Sequence, residues 1–147
     1  MKFILPLLLL FSSQSYAWDQ WAPLPIEQCQ SQAPYGFAKT NKQVVPICRK
    51  AYVSYNDTAA KIPVWVSYTL LPSNALGCVP RSNAFAPDAS IPKGMRAELS
   101  DYAKSGFDIG HVAPNGDMGW SQQAELESFL LTNMVPQLPG TNRGIIK

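Results

Sequence analysis

Apolar positions are spread unevenly along the chain. Residues 3–11 are almost wholly apolar, preceded by Met1-Lys2 and followed by a small-polar stretch ending Ser15-Tyr16-Ala17. A basic start, a short apolar core and a small-x-small end predict a secretory signal peptide over residues 1–17. The run is shorter than the roughly 20 residues that cross a bilayer, so it predicts no membrane anchor. Residues 18–46 are rich in Gln, Pro, Ala and Ser with weak periodicity, which predicts an irregular segment. Alternation at Tyr52, Val53 and Tyr55, then the run IPVWVSYTLL over residues 62–71, predicts a strand pair with its turn at Asn56-Asp57. Residues 72–92 carry four prolines and read as loop. A short helix is expected within residues 93–104, although Gly94 weakens it. Ser121 is placed to cap a helix running to Leu131, with Leu126, Phe129 and Leu130 as its buried stripe. Strands, then loop, then helix make an α+β arrangement rather than alternating βαβ units.

The length of 147 residues suits one domain. Cleavage after Ala17 would leave residues 18–147 and remove Lys2, taking the net charge from +2 to +1. A chain so near neutrality lacks the electrostatic footprint of a protein that coats nucleic acid. The composition also excludes a coiled coil and a disordered tail. Export would place Cys29, Cys48 and Cys78 in an oxidising compartment. Cys29–Cys48 closes the shorter loop and is the expected bridge. Cys78 is then a buried free thiol, an inter-chain partner, or a residue whose partner lies in sequence not present. The chain has one histidine, His111, and no CxxC pair. That supply is thin for the three or four N and S ligands of a zinc centre, so zinc is disfavoured.

The chemistry concentrates between Tyr102 and Asn142. Asp108-Ile109-Gly110-His111 sets a carboxylate three residues before the imidazole, with Gly110 allowing close approach or an unusual φ. A neutral imidazole is the usual general base. Asn133, Gln137 and Asn142 supply amide oxygens, which suit a hard cation such as Mg²⁺ that keeps most of its waters. One base and one sparsely held Mg²⁺ form a workable kit for phosphodiester hydrolysis. Each residue also has a plainer reading. A lone histidine is commonly structural, Asn115-Gly116-Asp117 is most simply a tight turn with φ > 0, and Arg81 is by itself a solvated loop charge. Trp65, Tyr68 and Phe129 read as core rather than as a platform for stacking bases.

Taken together, the residues resemble a family. SGFDIGHVAP (residues 105–114) is similar to the SGYDRGHLAP signature of the DNA/RNA non-specific endonucleases, the ββα-metal nucleases. Asn133-Met134-Val135-Pro136-Gln137, followed five residues later by Asn142, is similar to that family's second motif. Residues 63–68, then Arg81, Phe85 and Asp88, resemble its upstream order. The resemblance implies a mixed or antiparallel sheet carrying a ββα-metal element, incomplete at the C-terminus, with residues 18–147 forming the N-terminal part of a single nuclease domain. It implies a Mg²⁺-dependent endonuclease, other divalent cations being alternatives, that cuts DNA and RNA through phosphate contacts and leaves 5′-phosphate ends. His111 would be the general base and Asn142 the metal ligand. Arg81 would face the phosphate, Asn133 and Gln137 would shape the site, and Asp108 would hold the loop bearing His111. The expected location is secreted or periplasmic.

Two departures qualify the resemblance. The signature's arginine is Ile109 here, so weaker phosphate binding or a compensating cation is expected, with Lys104 and Arg143 as candidates. Asn142 lies close to Lys147, whereas the family's metal helix and further strands continue well beyond it. The corresponding expectation is a C-terminally truncated nuclease, and the alternative is a non-catalytic remnant that binds nucleic acid or a partner.

Overall fold

The computed structural model describes residues 22–145, so the expected signal peptide lies outside the described residues. A three-stranded antiparallel sheet comes first, in the order β1 (Val44–Cys48), β2 (Tyr52–Asp57), β3 (Ile62–Tyr68). Strand β1 falls inside the segment expected to be irregular. Pro46 disguises it, since proline gives no ladder hydrogen bond. It is tolerated because β1 is an edge strand and Pro46 is exposed. Pro63 sits on the other edge, beside a register irregularity at Tyr55/Asn56.

The β2–β3 pair forms as expected, but its turn lies one step later. Asn56 and Asp57 end strand β2, and residues 58–61 make the turn. The Asp57 carboxylate accepts the backbone N–H groups of Ala59 and Ala60, both at 2.9 Å, and Lys61 turns the chain at φ 58°. These hydrogen bonds and the Lys42 ammonium hold the Asp57 carboxyl below its ordinary range, against a smaller upward pull from desolvation.

The expected Cys29–Cys48 disulfide is present, with Cα atoms 5.7 Å apart. It fastens the N-terminal segment to β1, and Leu24 donates to Cys48 O at 2.9 Å beside it. Cys78 is an exposed free thiol, so the buried alternative does not hold.

Loop 82–90 is pinned by a buried ion pair. Arg49 and Asp88 are 1% and 2% exposed, and Nη2 lies 2.7 and 2.6 Å from the two carboxylate oxygens. Thr132 Oγ1 also donates to Asp88, at 2.6 Å. Burial alone would raise the Asp88 pKa, but the Arg49 charge and the hydrogen bonds from Ser90 and Thr132 carry it below its ordinary value. The loop then bridges to residues 130–131, with Leu131 N donating to Ala86 O at 2.9 Å.

The helix expected within residues 93–104 reduces to one turn, α1 (Leu99–Tyr102), opened by a reciprocal Glu98/Asp101 capping box. Strand β4 (Asp108–His111) pairs antiparallel with β5 (Met134–Gln137), in the register Asp108↔Gln137 and His111↔Met134. Between them runs α2 (Gln122–Ser128), shorter than expected. Its inner face also differs from the expected stripe. Leu126 is only partly buried, whereas Glu125 and Glu127 are 2% and 1% exposed. Their carboxylates face inward because backbone donors wait there. Ser82 N donates to Glu125 at 2.7 Å, and Lys50 N donates to Glu127 at 2.8 Å. Phe129 and Leu130 are buried as expected. The expected α+β class with antiparallel sheets is what forms. Among the described residues no helix is long and apolar enough to cross a membrane.

Candidate active site

Strand alternation divides the signature between two faces. Ile109 and His111 point one way. Ile109 packs on the cluster of Ala97, Tyr102, Leu131 and Met134. His111 stands edge-on to Phe85 and Phe129, with ring centroids 5.7 and 5.1 Å away. Those two phenyl rings are themselves perpendicular, at 4.9 Å. Burial in this aromatic box disfavours the imidazolium, and nearby Arg81 adds repulsion, so the His111 pKa is pulled down to about 4. The His111 Nε2 atom is buried with no hydrogen-bond partner among the described residues.

Arg81 closes the box. Its guanidinium carbon lies 4.8 Å from the centre of the Phe129 ring, a cation–π contact. Nε donates to Asn83 Oδ1 at 2.7 Å, and Nη1 donates to Asn115 Oδ1 at 3.3 Å. The turn expected at Asn115-Gly116-Asp117 forms, as a 3-10 turn over Asn115–Asp117. Gly116 does not take a positive φ there, so the turn type differs from the one expected. The asparagine side chain is buried, and its amide links Arg81 to α2.

On the other face, Asp108 meets Asn142 and Arg143. Asn142 Nδ2 donates to Asp108 Oδ2 at 3.1 Å, while Arg143 grips both carboxylate oxygens at 2.8 and 2.6 Å. These bonds, Arg143 first, hold the Asp108 carboxyl below its ordinary range. Arg143 is thus placed on Asp108, and the cation beside the imidazole is Arg81. Lys104 is exposed in the turn before β4, at φ 59°. Residues Thr141–Ile145 form a single π-helical turn.

Gly110 explains itself through Gln137. A Cβ at position 110 would lie 2.2 Å from Gln137 Cδ, so glycine makes room for that side chain, and its φ is not in the left-handed region. Gln137 Nε2 donates to His111 O at 3.3 Å, and its Oε1 is buried without a partner among the described residues. Asn133 staples the chain after the histidine: Ala113 N donates to Asn133 Oδ1, and Asn133 Nδ2 donates to the carbonyls of Ala113 and Ser128, all at 2.9 Å. The structure therefore brings His111 and Arg81 together on one face of β4 and Asn142 with Asp108 on the other, where the Gln137 side chain packs against Gly110 and reaches His111 only at its backbone carbonyl. Sequence reasoning missed Asn115 and Glu125, whose only signal was a carboxylate on the helix face expected to be apolar.

No cluster of three or more His, Cys, Asp or Glu side chains able to hold a metal occurs among the described residues. The donors at hand are amide oxygens. Because Asn142 Nδ2 is committed to Asp108, Oδ1 is the atom left for a cation, and the unpartnered Gln137 Oε1 is of the same chemical type. Such donors fit Mg²⁺ with water filling the remaining positions.

This geometry has relatives. Residues 31–147 match the family model described as DNA/RNA non-specific endonuclease. The mitochondrial nuclease EXOG of Xenopus laevis is 36% identical over 124 residues, covering 84% of this chain and 34% of that protein. A nuclease of Nostoc sp. is 39% identical over 92 residues, covering 62% of this chain and 33% of that protein. Among solved structures, the EndoG/EndoGI complex, described as showing the mechanism of EndoG inhibition, superimposes with a TM-score of 0.70 at 32% identity. It covers 83% of this chain and 50% of that one. The chain spans about a third of the length of the curated relatives it matches. With one signature split across two faces of β4 and a family model matching most of its residues, the chain belongs to the DNA/RNA non-specific endonuclease family.

Proposed function

We propose that the protein hydrolyses phosphodiester bonds in DNA and RNA with the help of a divalent cation, Mg²⁺ in the first instance. The observation that carries this reading is the His111 imidazole, held neutral in an aromatic box with Nε2 unpartnered and Arg81 alongside.

Neutral His111 Nε2 is the base. It accepts a proton from the water that attacks phosphorus; the P–O3′ bond breaks, the 3′ oxygen leaves and takes a proton from solvent, and the imidazolium returns its own proton to solvent. Gln137 holds the His111 carbonyl, and Asn133 holds the following residues, so the imidazole needs little reorganisation. Arg81 presents a guanidinium to the non-bridging phosphate oxygens, where it stabilises charge that grows in the transition state. Asn142 Oδ1, with water and phosphate oxygens, would hold Mg²⁺, and Asp108 keeps that amide oriented. When bound, the ion neutralises charge on the phosphoryl and leaving oxygens. Recognition of phosphate rather than bases or the 2′-hydroxyl fits action on both nucleic acids. Products with 5′-phosphate ends follow from the family reading. The pattern of residues 1–17 supports export, to the periplasm or beyond.

Digestion of plasmid and RNA by the purified protein tests this, with Mg²⁺, with EDTA, and with His111→Ala. Cutting should require both the metal and the histidine. Binding without cutting, unchanged by His111→Ala in a protein shown to be folded, would sink the catalytic reading and favour a remnant that binds nucleic acid. Mass spectrometry of protein recovered outside the cytoplasm should find a chain beginning at Trp18.

A further inference from the structure

Arg81 stands on an exposed loop, where a long cation would ordinarily sample many rotamers. Its guanidinium is nonetheless bracketed at three points. Asn83 Oδ1 takes Nε, Asn115 Oδ1 takes Nη1, and the Phe129 ring lies under the plane. Of these, Asn115 is itself built in. It is 7% exposed, and its Nδ2 donates to Ser128 Oγ at 3.0 Å and to Glu125 Oε1 at 3.4 Å. The same Glu125 oxygen accepts Ser82 N at 2.7 Å, so it grips the backbone directly after Arg81. Ser128 Oγ in turn donates to Glu125 O at 2.7 Å. A buried carboxylate with two donors, one on the Arg81 loop and one on the Arg81 partner, is a costly thing to keep in a helix. Its bonds converge on one exposed side chain.

We infer that Asn115, backed by Glu125, is a positioning residue that holds the Arg81 guanidinium over Phe129 and beside His111. The inference rests on the reading of Arg81 as the phosphate-facing cation. Its action is indirect: with Nε and Nη1 engaged, the Nη2 edge is left to meet a phosphate, and the cation is kept from swinging into solvent. A pre-oriented guanidinium loses less freedom when it binds.

The protein contains a single histidine, so the imidazole proton resonances report on His111 alone. The experiment titrates that imidazole by NMR in the full chain and its variants, alongside melting curves and Mg²⁺-dependent cutting. Arg81→Gln should raise the His111 pKa, because a neighbouring positive charge is removed. Asn115→Ala should raise it in the same direction and lower kcat by about 10-fold. That is part of the 10²–10³ typical of deleting a charge-stabilising donor. In the Arg81→Gln background, Asn115→Ala should add nothing to either readout.

Asn83→Gly removes the other acceptor at a position whose φ of 55° glycine adopts freely, so folding is not at risk. It should give a smaller shift of the same sign. An unchanged imidazole in folded Asn115→Ala, or effects that add fully to those of Arg81→Gln, would overturn the inference. If the wild-type protein does not cut at all, the imidazole arm still decides the positioning role, and only the functional reading fails.

Discussion

Two faces of one four-residue strand carry titratable groups, and they handle charge in opposite ways. On one face His111 is enclosed by Phe85 and Phe129, and burial drives its pKa down to about 4. On the other, Asp108 stays charged through Arg143 and Asn142, with Arg143 largely in solvent. The first environment keeps neutral the imidazole proposed as the base. The second keeps a charge whose task is to hold two residues of the C-terminal turn. Packing sets the first and pairing sets the second, so the two faces should respond to different perturbations.

The largest effect should come from emptying the imidazole position. His111→Ala is expected to lower cutting by about 10²–10⁴-fold, the usual contribution of a general base, with little change in melting temperature. Equal cutting by the variant would end the assignment of the base. Next, Phe129→Ala should cost about 3–5 kcal/mol of stability, since the ring is fully buried. It should also let the imidazole pKa climb back toward about 6.5, where an unburied histidine titrates. A denaturant melt together with an NMR titration separates those two outcomes.

The pH response follows from the sign of the shift. A histidine depressed in the folded state binds fewer protons there than in the unfolded chain at intermediate pH. The stability it contributes is therefore complete above about pH 6.5 and falls as pH drops through about 4. Cutting by the free enzyme should likewise keep its base to well below pH 6, and an acid limb at pH 6.5 or higher would contradict the buried imidazole. The smallest effect should be on the other face. Arg143→Ala should barely move the melting temperature, because the pair is exposed, and added salt should erase what remains. If Arg143→Ala instead matched Arg81→Gln in lost cutting, the cation beside the phosphate would have to be reassigned.

The β2–β3 pair was legible because its residues are β-branched and aromatic, and the disulfide because only three cysteines had to be paired. Strand β1 was not legible, since Pro46 and Gln43 mask a short edge strand. Helix α2 was located, but not its inner face: an apolar stripe was expected where Glu125 and Glu127 are buried. Their partners, the backbone N–H groups of Ser82 and Lys50, are 43 and 77 residues away in sequence. No local pattern announces such donors. The same holds for Asn115, whose Asn-Gly-Asp context reads as a turn whether or not its amide meets an arginine.

By itself, the sequence determined the two motifs, their separation and thus the family, because residue type and spacing survive without coordinates. It also determined that Ile109 leaves this stretch short of a cation. Only the tertiary structure decided which cation stands beside His111, because the answer depends on a loop brought across by the Arg49–Asp88 pair. Strand periodicity puts residues 109 and 111 on one face. What fills the space opposite that face is settled by contacts between distant segments, which must satisfy every buried polar group at once.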